Sequence, residues 1–119
     1  DGYANDPRVV TVGAVGPDGR VAPFSNAGAC VLCVGLIANT AGEHPVYSTD
    51  RMGALGWNRK FSADDPEVGS YHAITRGGNS FTAPQIAGVA ALILGANPNL
   101  TYRDVQQVLI QFTVSLVLE

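Results

Sequence analysis

Apolar positions fall along the chain in short blocks punctuated by glycine, proline and polar residues. Residues 8–15 (RVVTVGAV) are β-branched and apolar on both faces, the pattern of a strand covered from both sides. Gly16-Pro17-Asp18-Gly19 then predicts a turn, with proline setting φ and glycine supplying positive φ. A short strand is expected over residues 21–25, a buried strand over 30–37, a loop over 38–45 and another short strand over 46–49. Residues 50–69 are polar, hold the sole tryptophan, Trp57, and read as a long surface excursion. Residues 70–75 predict a strand running into Gly77-Gly78.

At Ser80 the pattern changes to a helix. Phe81-Thr82-Ala83-Pro84 opens it, proline being tolerated in a first turn where its missing N–H is no loss. Residues 85–94 are apolar on almost every face, which places this helix in the middle of a fold. Gly95 and Asn97-Pro98-Asn99 end it. A second helix follows. Thr101 can cap it, Asp104 completes a capping box with Asp in place of Glu, and Val105, Val108, Leu109 and Phe112 form one apolar face. Strands alternating with helices around a buried central helix predict an α/β layered fold, mostly parallel, as one domain over residues 1–119.

Composition narrows the function. Apolar residues make up 46% of the 119 residues and charged ones 14%, which argues against disorder. A net charge of −3 offers no basic stripe for a phosphate backbone, so no nucleic-acid partner is expected. No apolar run reaches the ~18 residues of a membrane span, so no membrane partner is expected either. No signal peptide opens the sequence, and a start on Asp1 reads as a processed or cut terminus. Cys30 and Cys33 form a C-x-x-C inside the apolar run, where i and i+3 of a strand point to opposite faces and a bridge would be strained. Two small buried hydrophobes fit better than a redox or metal pair.

Ser80 is the candidate for chemistry. It follows Gly77-Gly78-Asn79 at the mouth of the apolar helix, where free N–H groups and the positive dipole end favour negative charge beside its hydroxyl. On position alone, a serine at a helix start is usually just an N-cap.

A longer pattern favours chemistry. Residues 78–92 (GNSFTAPQIAGVAAL) resemble the G-T-S-x-x-x-P-x-x-x-G-x-x-A-L signature around the nucleophile of subtilases. Residues 96–106 (ANPNLTYRDVQ) are similar to the A-N-P-N-L-T-W-R-D-V-Q stretch of the kexin branch. Asp1-Gly2-Tyr3-Ala4-Asn5 resembles that branch's D-G-Y-x-N, and Pro23-Phe24-Ser25 and Thr49-Asp50-Arg51 fall where it has related pieces. The likeness covers nearly the whole chain and is weakest over residues 52–76 and after Gln111.

The resemblance implies a subtilisin-like layered fold and a secreted or extracytoplasmic serine endopeptidase acting on peptides or proteins. Ser80 matches the nucleophile, and Asp1 matches an acidic residue lining a pocket for a basic side chain; carboxylate and guanidinium pair well there. The sequon Asn99-Leu100-Thr101 also points weakly to secretion. The likeness leaves room for a calcium ion but secures no cofactor, since Asn26 stands where animal convertases often carry a calcium-binding Glu. Asn79 stands where the family usually has Thr. By the family's order, its Asp, His and oxyanion Asn lie upstream of Asp1, and a serine without a base is a weak nucleophile. Three readings therefore stay open. Ser80 acts with a missing N-terminal half; or the chain is a non-catalytic, self-associating module; or Ser80 works with His44 or His72 as a stand-alone esterase-like hydrolase.

Overall fold

A computed structural model describes residues 2–37, 46–51, 55, 72–75 and 78–112, the side chains of 72–75 excepted. Asp1, His44 and Trp57 lie outside the described residues, as does most of the expected surface excursion. The chain divides into two compact units, one built from Asp1–Ile37 with Gly78–Glu119, the other from Ala38–Gly77.

In the first unit, β1 (Thr11–Val15) pairs in parallel with β2 (Val31–Leu36). Ala14, Val15, Cys33 and Ile37 are buried at this pair, as the apolar runs require. The register slips between Thr11, opposite Val31, and Val12, opposite Cys33, so one extra residue of β2 is accommodated there. Gly19, at φ 77°, closes the expected turn, and its N–H donates to the Gly16 carbonyl at 3.0 Å.

The strand expected over residues 21–25 reduces to a single bridge between Val15 and Val21. Pro23 has no N–H to extend a ladder, and the Ser25 hydroxyl accepts the Ala14 N–H at 2.9 Å in place of a backbone carbonyl. Cys33 is buried and Cys30, in the turn before β2, is half-buried; both thiols are free. Burial pushes the Cys33 thiol up, against thiolate chemistry.

The first helix enters through a 3₁₀ turn at Asn79–Phe81 and becomes α-helical as α1 over Thr82–Ala96, passing through Gly95. Ile86, Ala90 and Ile93, at i, i+4 and i+7, are half-buried, and α1 packs on β1 and β2. The expectation of a buried central helix starting at Ser80 needs correction on both counts. The α-helical part begins two residues later, and only 6% of the Asn79–Ala96 stretch is buried. Leu92 is 77% exposed. A helix apolar all round needs cover on every side, and the described residues give it the β1–β2 pair and a lighter contact with the helix that follows, leaving its outer face open. That stretch also has the length and mean hydropathy (1.2 over 18 residues) of a membrane span, although no apolar run in the sequence suggested one. Thr82 and Gln85 nevertheless hold its first turn against β2.

Helix α2 (Tyr102–Phe112) has the expected face: Val105 and Leu109 are buried and Val108 half-buried, while Phe112 at the last turn is exposed. Its capping box is reciprocal. The Asp104 Oδ2 accepts the Thr101 N–H and hydroxyl, both at 2.7 Å, and the Thr101 Oγ1 accepts the Asp104 N–H at 3.3 Å. The Gln106 side chain donates to the Pro7 carbonyl at 2.9 Å and ties α2 to the N-terminal segment.

The Thr101 hydroxyl, then its N–H, holds the Asp104 carboxyl below its ordinary 3.8. A depressed folded value means that the cap's contribution is whole above pH 3.8 and fades as the pH falls through the lower folded value. Amide shifts of Thr101 and Asp104, followed from about pH 6 to 2, should titrate together below 3.8 in the native chain and stay flat in Asp104→Asn. A midpoint above 3.8 would contradict the arrangement.

In the second unit, β3 (Val46–Thr49) runs antiparallel to β4 (His72–Thr75), Val46 facing Thr75 and Thr49 facing His72. Pairing among the described residues is therefore one parallel and one antiparallel pair, not mostly parallel.

Candidate active site

Sequence dictates the shape of the Ser80 turn. Gly78 sits at φ 111° and ψ 140°, a region that side chains with a Cβ rarely adopt, and lets the chain swing into the helix. From there the Phe81 N–H donates back to the Gly78 carbonyl at 3.1 Å and closes the 3₁₀ turn. The N–H groups of Asn79 and Ser80 precede that first bond, so no carbonyl of the turn takes them.

Ser80 lies in the middle of this turn and is exposed. The cap positions are Gly78 for the 3₁₀ turn and Phe81 for α1, neither with a side-chain cap bond. A capping serine would accept an N–H two or three residues on; among the described residues the Ser80 hydroxyl makes no such bond. The plain N-cap reading is therefore not what the geometry shows.

Two contacts fix the turn to the sheet. Thr82 is fully buried and packs on Gly35, where a Cβ would come within 2.7 Å of the Thr82 Cβ. Three residues after Thr82, the Gln85 side chain donates to the carbonyl of Leu36, the neighbour of Gly35, at 2.9 Å. Both contacts are made at the C-terminal end of β2, which puts the turn at the strand end where ligands of α/β sheets bind. In the sequence neither Thr82 nor Gln85 stood out as a site residue. The signal for Thr82 was a polar residue on the inward side of an apolar helix.

Asn79 carries the site's unpaired group. Its Oδ1 is buried without a donor among the described residues. A buried acceptor left without a donor costs roughly 1–3 kcal/mol.

Of the other expected site residues, Asp1 and His44 lie outside the described residues. For His72 only the backbone is described, paired with Thr49. Asn26 is exposed, and among the described residues no three His, Cys, Asp or Glu side chains gather to hold a metal ion. A shallow cavity of about 370 Å³ opens at the other end of β2, beside Ala4, Asp6, Cys30 and Gln106. Its carboxylate is taken up by Arg8 at 2.6 Å and its amide by Pro7.

Ser80 is thus an exposed serine on a glycine-led turn that opens an apolar helix at the end of β2. The chain belongs to the Subtilase family, whose sequence model matches residues 3–116. It is 38% identical over 108 residues to a kexin of Candida albicans and 34% identical over 116 residues to the kexin of Saccharomyces cerevisiae. It is also 34% identical over 114 residues to a calcium-dependent protease of Trichormus variabilis. These matches cover 91%, 98% and 92% of the chain, but the chain spans only 10%, 12% and 17% of those proteins.

Proposed function

We propose that the chain is the nucleophile-bearing part of a subtilisin/kexin-like serine endopeptidase. One observation carries this: the exposed Ser80 hydroxyl, free of any capping bond, in a turn fixed to the end of β2. In the reaction, the Ser80 Oγ attacks the scissile carbonyl carbon while its proton passes to a base. The C–N bond then breaks as the proton moves to the leaving amine, and water releases the acyl group by the same route. The oxyanion formed on attack is negative charge beside the Asn79 and Ser80 N–H groups, which no carbonyl of the turn takes, and the positive end of α1, where it is stabilised.

By the family's order the base, its carboxylate partner and an oxyanion Asn lie outside these 119 residues. Asp1 serves as one wall of a pocket for a basic side chain N-terminal to the cut. The subtilisin-like layering of the domain, a peptide or protein substrate and an extracytoplasmic location belong to the same reading. No step is routed through calcium.

A panel of peptides differing only at the residue before the cut tests this. The chain is supplied with a family segment carrying the Asp, His and oxyanion Asn. Cleavage after Arg or Lys is expected, with Asp1→Asn weakening basic over neutral substrates by about tenfold or more. No cleavage of any member would remove the proposal; cleavage indifferent to Asp1 would remove the specificity.

A second reading draws on the exposed outer face of α1, with Val89 at 43% and Leu92 at 77%. A non-catalytic module would associate through that face and leave Ser80 inert under every condition.

A further inference from the structure

Thr82 is the single polar residue fully buried among the described residues. A buried hydroxyl is costly unless bonded, and this one donates to the Asn79 carbonyl at 2.8 Å. The bond reaches back three residues, a habit of helical threonines. What sets this one apart is where both ends are anchored. The Asn79 carbonyl already accepts the Thr82 backbone N–H, so the hydroxyl is a second donor from the same residue on one oxygen. That carbonyl belongs to the peptide linking Asn79 to Ser80. On its other side Thr82 is wedged against Gly35, where an added Cβ would lie 3.2 Å from the Thr82 Cα and carbonyl oxygen.

Resting on the reading of Ser80 as nucleophile, we propose that Thr82 is a positioning residue, which transmits the place of β2 to the peptide that carries Ser80. Valine has nearly the same shape and would fill the same space. If packing were the whole role, Thr82→Val would be silent. As a positioning group, the hydroxyl holds the plane of the Asn79–Ser80 peptide, and with it the direction of the Ser80 side chain and of the N–H groups beside it. A misdirected nucleophile reacts slowly even when its ligand binds normally.

The test compares Thr82→Val with Thr82→Ser in the chain supplied with the Asp/His-bearing segment. A fluorophosphonate serves as the probe, and its binding and capture constants are separated. Thr82→Val is expected to slow capture about tenfold with binding of the probe unchanged, and Thr82→Ser to stay within about twofold of the native chain. Capture by Thr82→Val within twofold of native would overturn the proposal.

Amide exchange in the chain alone provides a readout independent of catalysis. The Phe81 N–H, bonded to the Gly78 carbonyl, should exchange faster in Thr82→Val and at the native rate in Thr82→Ser. Equal protection in all three proteins would also overturn the role of Thr82. If the native chain takes no probe while exchange differs as stated, the nucleophile reading fails and the coupling of Thr82 to the turn stands. Should Thr82→Val not fold, Thr82→Ala replaces it, with the same two readouts and the same limits.

Discussion

Replacing Ser80 with Ala is expected to lower peptide hydrolysis by the complemented chain about a millionfold, with folding unaffected. The size follows from the division of labour in acyl transfer. Without the Oγ there is no acyl-enzyme, and only oriented water with the N–H groups at the mouth of the helix remains to help the reaction. Stability should hardly move, because the hydroxyl is exposed and caps neither the 3₁₀ turn nor α1. An N-cap serine would behave in the opposite way, losing about 1 kcal/mol of stability on truncation and no activity. Parallel measurement of turnover and melting temperature separates the two, and a melting shift with retained turnover would return Ser80 to a structural role.

Gly35→Ala is expected to have the largest structural effect. The added methyl would meet the Thr82 Cβ at 2.7 Å and its backbone at 3.2 Å. These are two helix main-chain atoms and the Cβ fixed directly to them, which cannot swing aside as the end of a flexible side chain can. Overpacking of this kind costs about 1–3 kcal/mol and should lower the melting temperature by roughly 5–15 °C. Relief comes by pushing α1 away from β2, so the Gln85 bond to Leu36 and the Ser80 turn shift with it. Gly88→Ala makes the natural contrast. An added Cβ there meets nothing within 4 Å, and alanine suits a helix interior better than glycine, so a gain of about 0.5–1 kcal/mol is expected. Equal effects at the two glycines would show that β2 and α1 are not in the close contact described.

Much of this was legible in the residues. The capping box at Thr101 and Asp104 was readable because both of its bonds are local, and the apolar spacing of Val105 and Leu109 gave the buried face of α2. The strands at Val31–Leu36 and Val46–Thr49 followed from short apolar blocks between breakers. Three features were not legible, each for a tertiary reason. Residues 21–25 have strand composition, but Pro23 and the Ser25 hydroxyl end the ladder after one bridge. The exposure of α1 depends on how many layers reach it, which its own sequence cannot state. The start of the α-helix was displaced by Gly78, whose positive φ inserts a 3₁₀ turn first. At the site, sequence singled out Ser80, while the grip of Thr82 and Gln85 on β2 appears only once residues some fifty positions apart meet.

Intact mass spectrometry with a fluorophosphonate, followed by peptide mapping, tests the nucleophile most directly. The native chain, supplied with the segment bearing the family's Asp and His, should gain a single adduct, mapped to position 80 and absent from Ser80→Ala. No adduct at all, or one carried equally by Ser80→Ala, would contradict it.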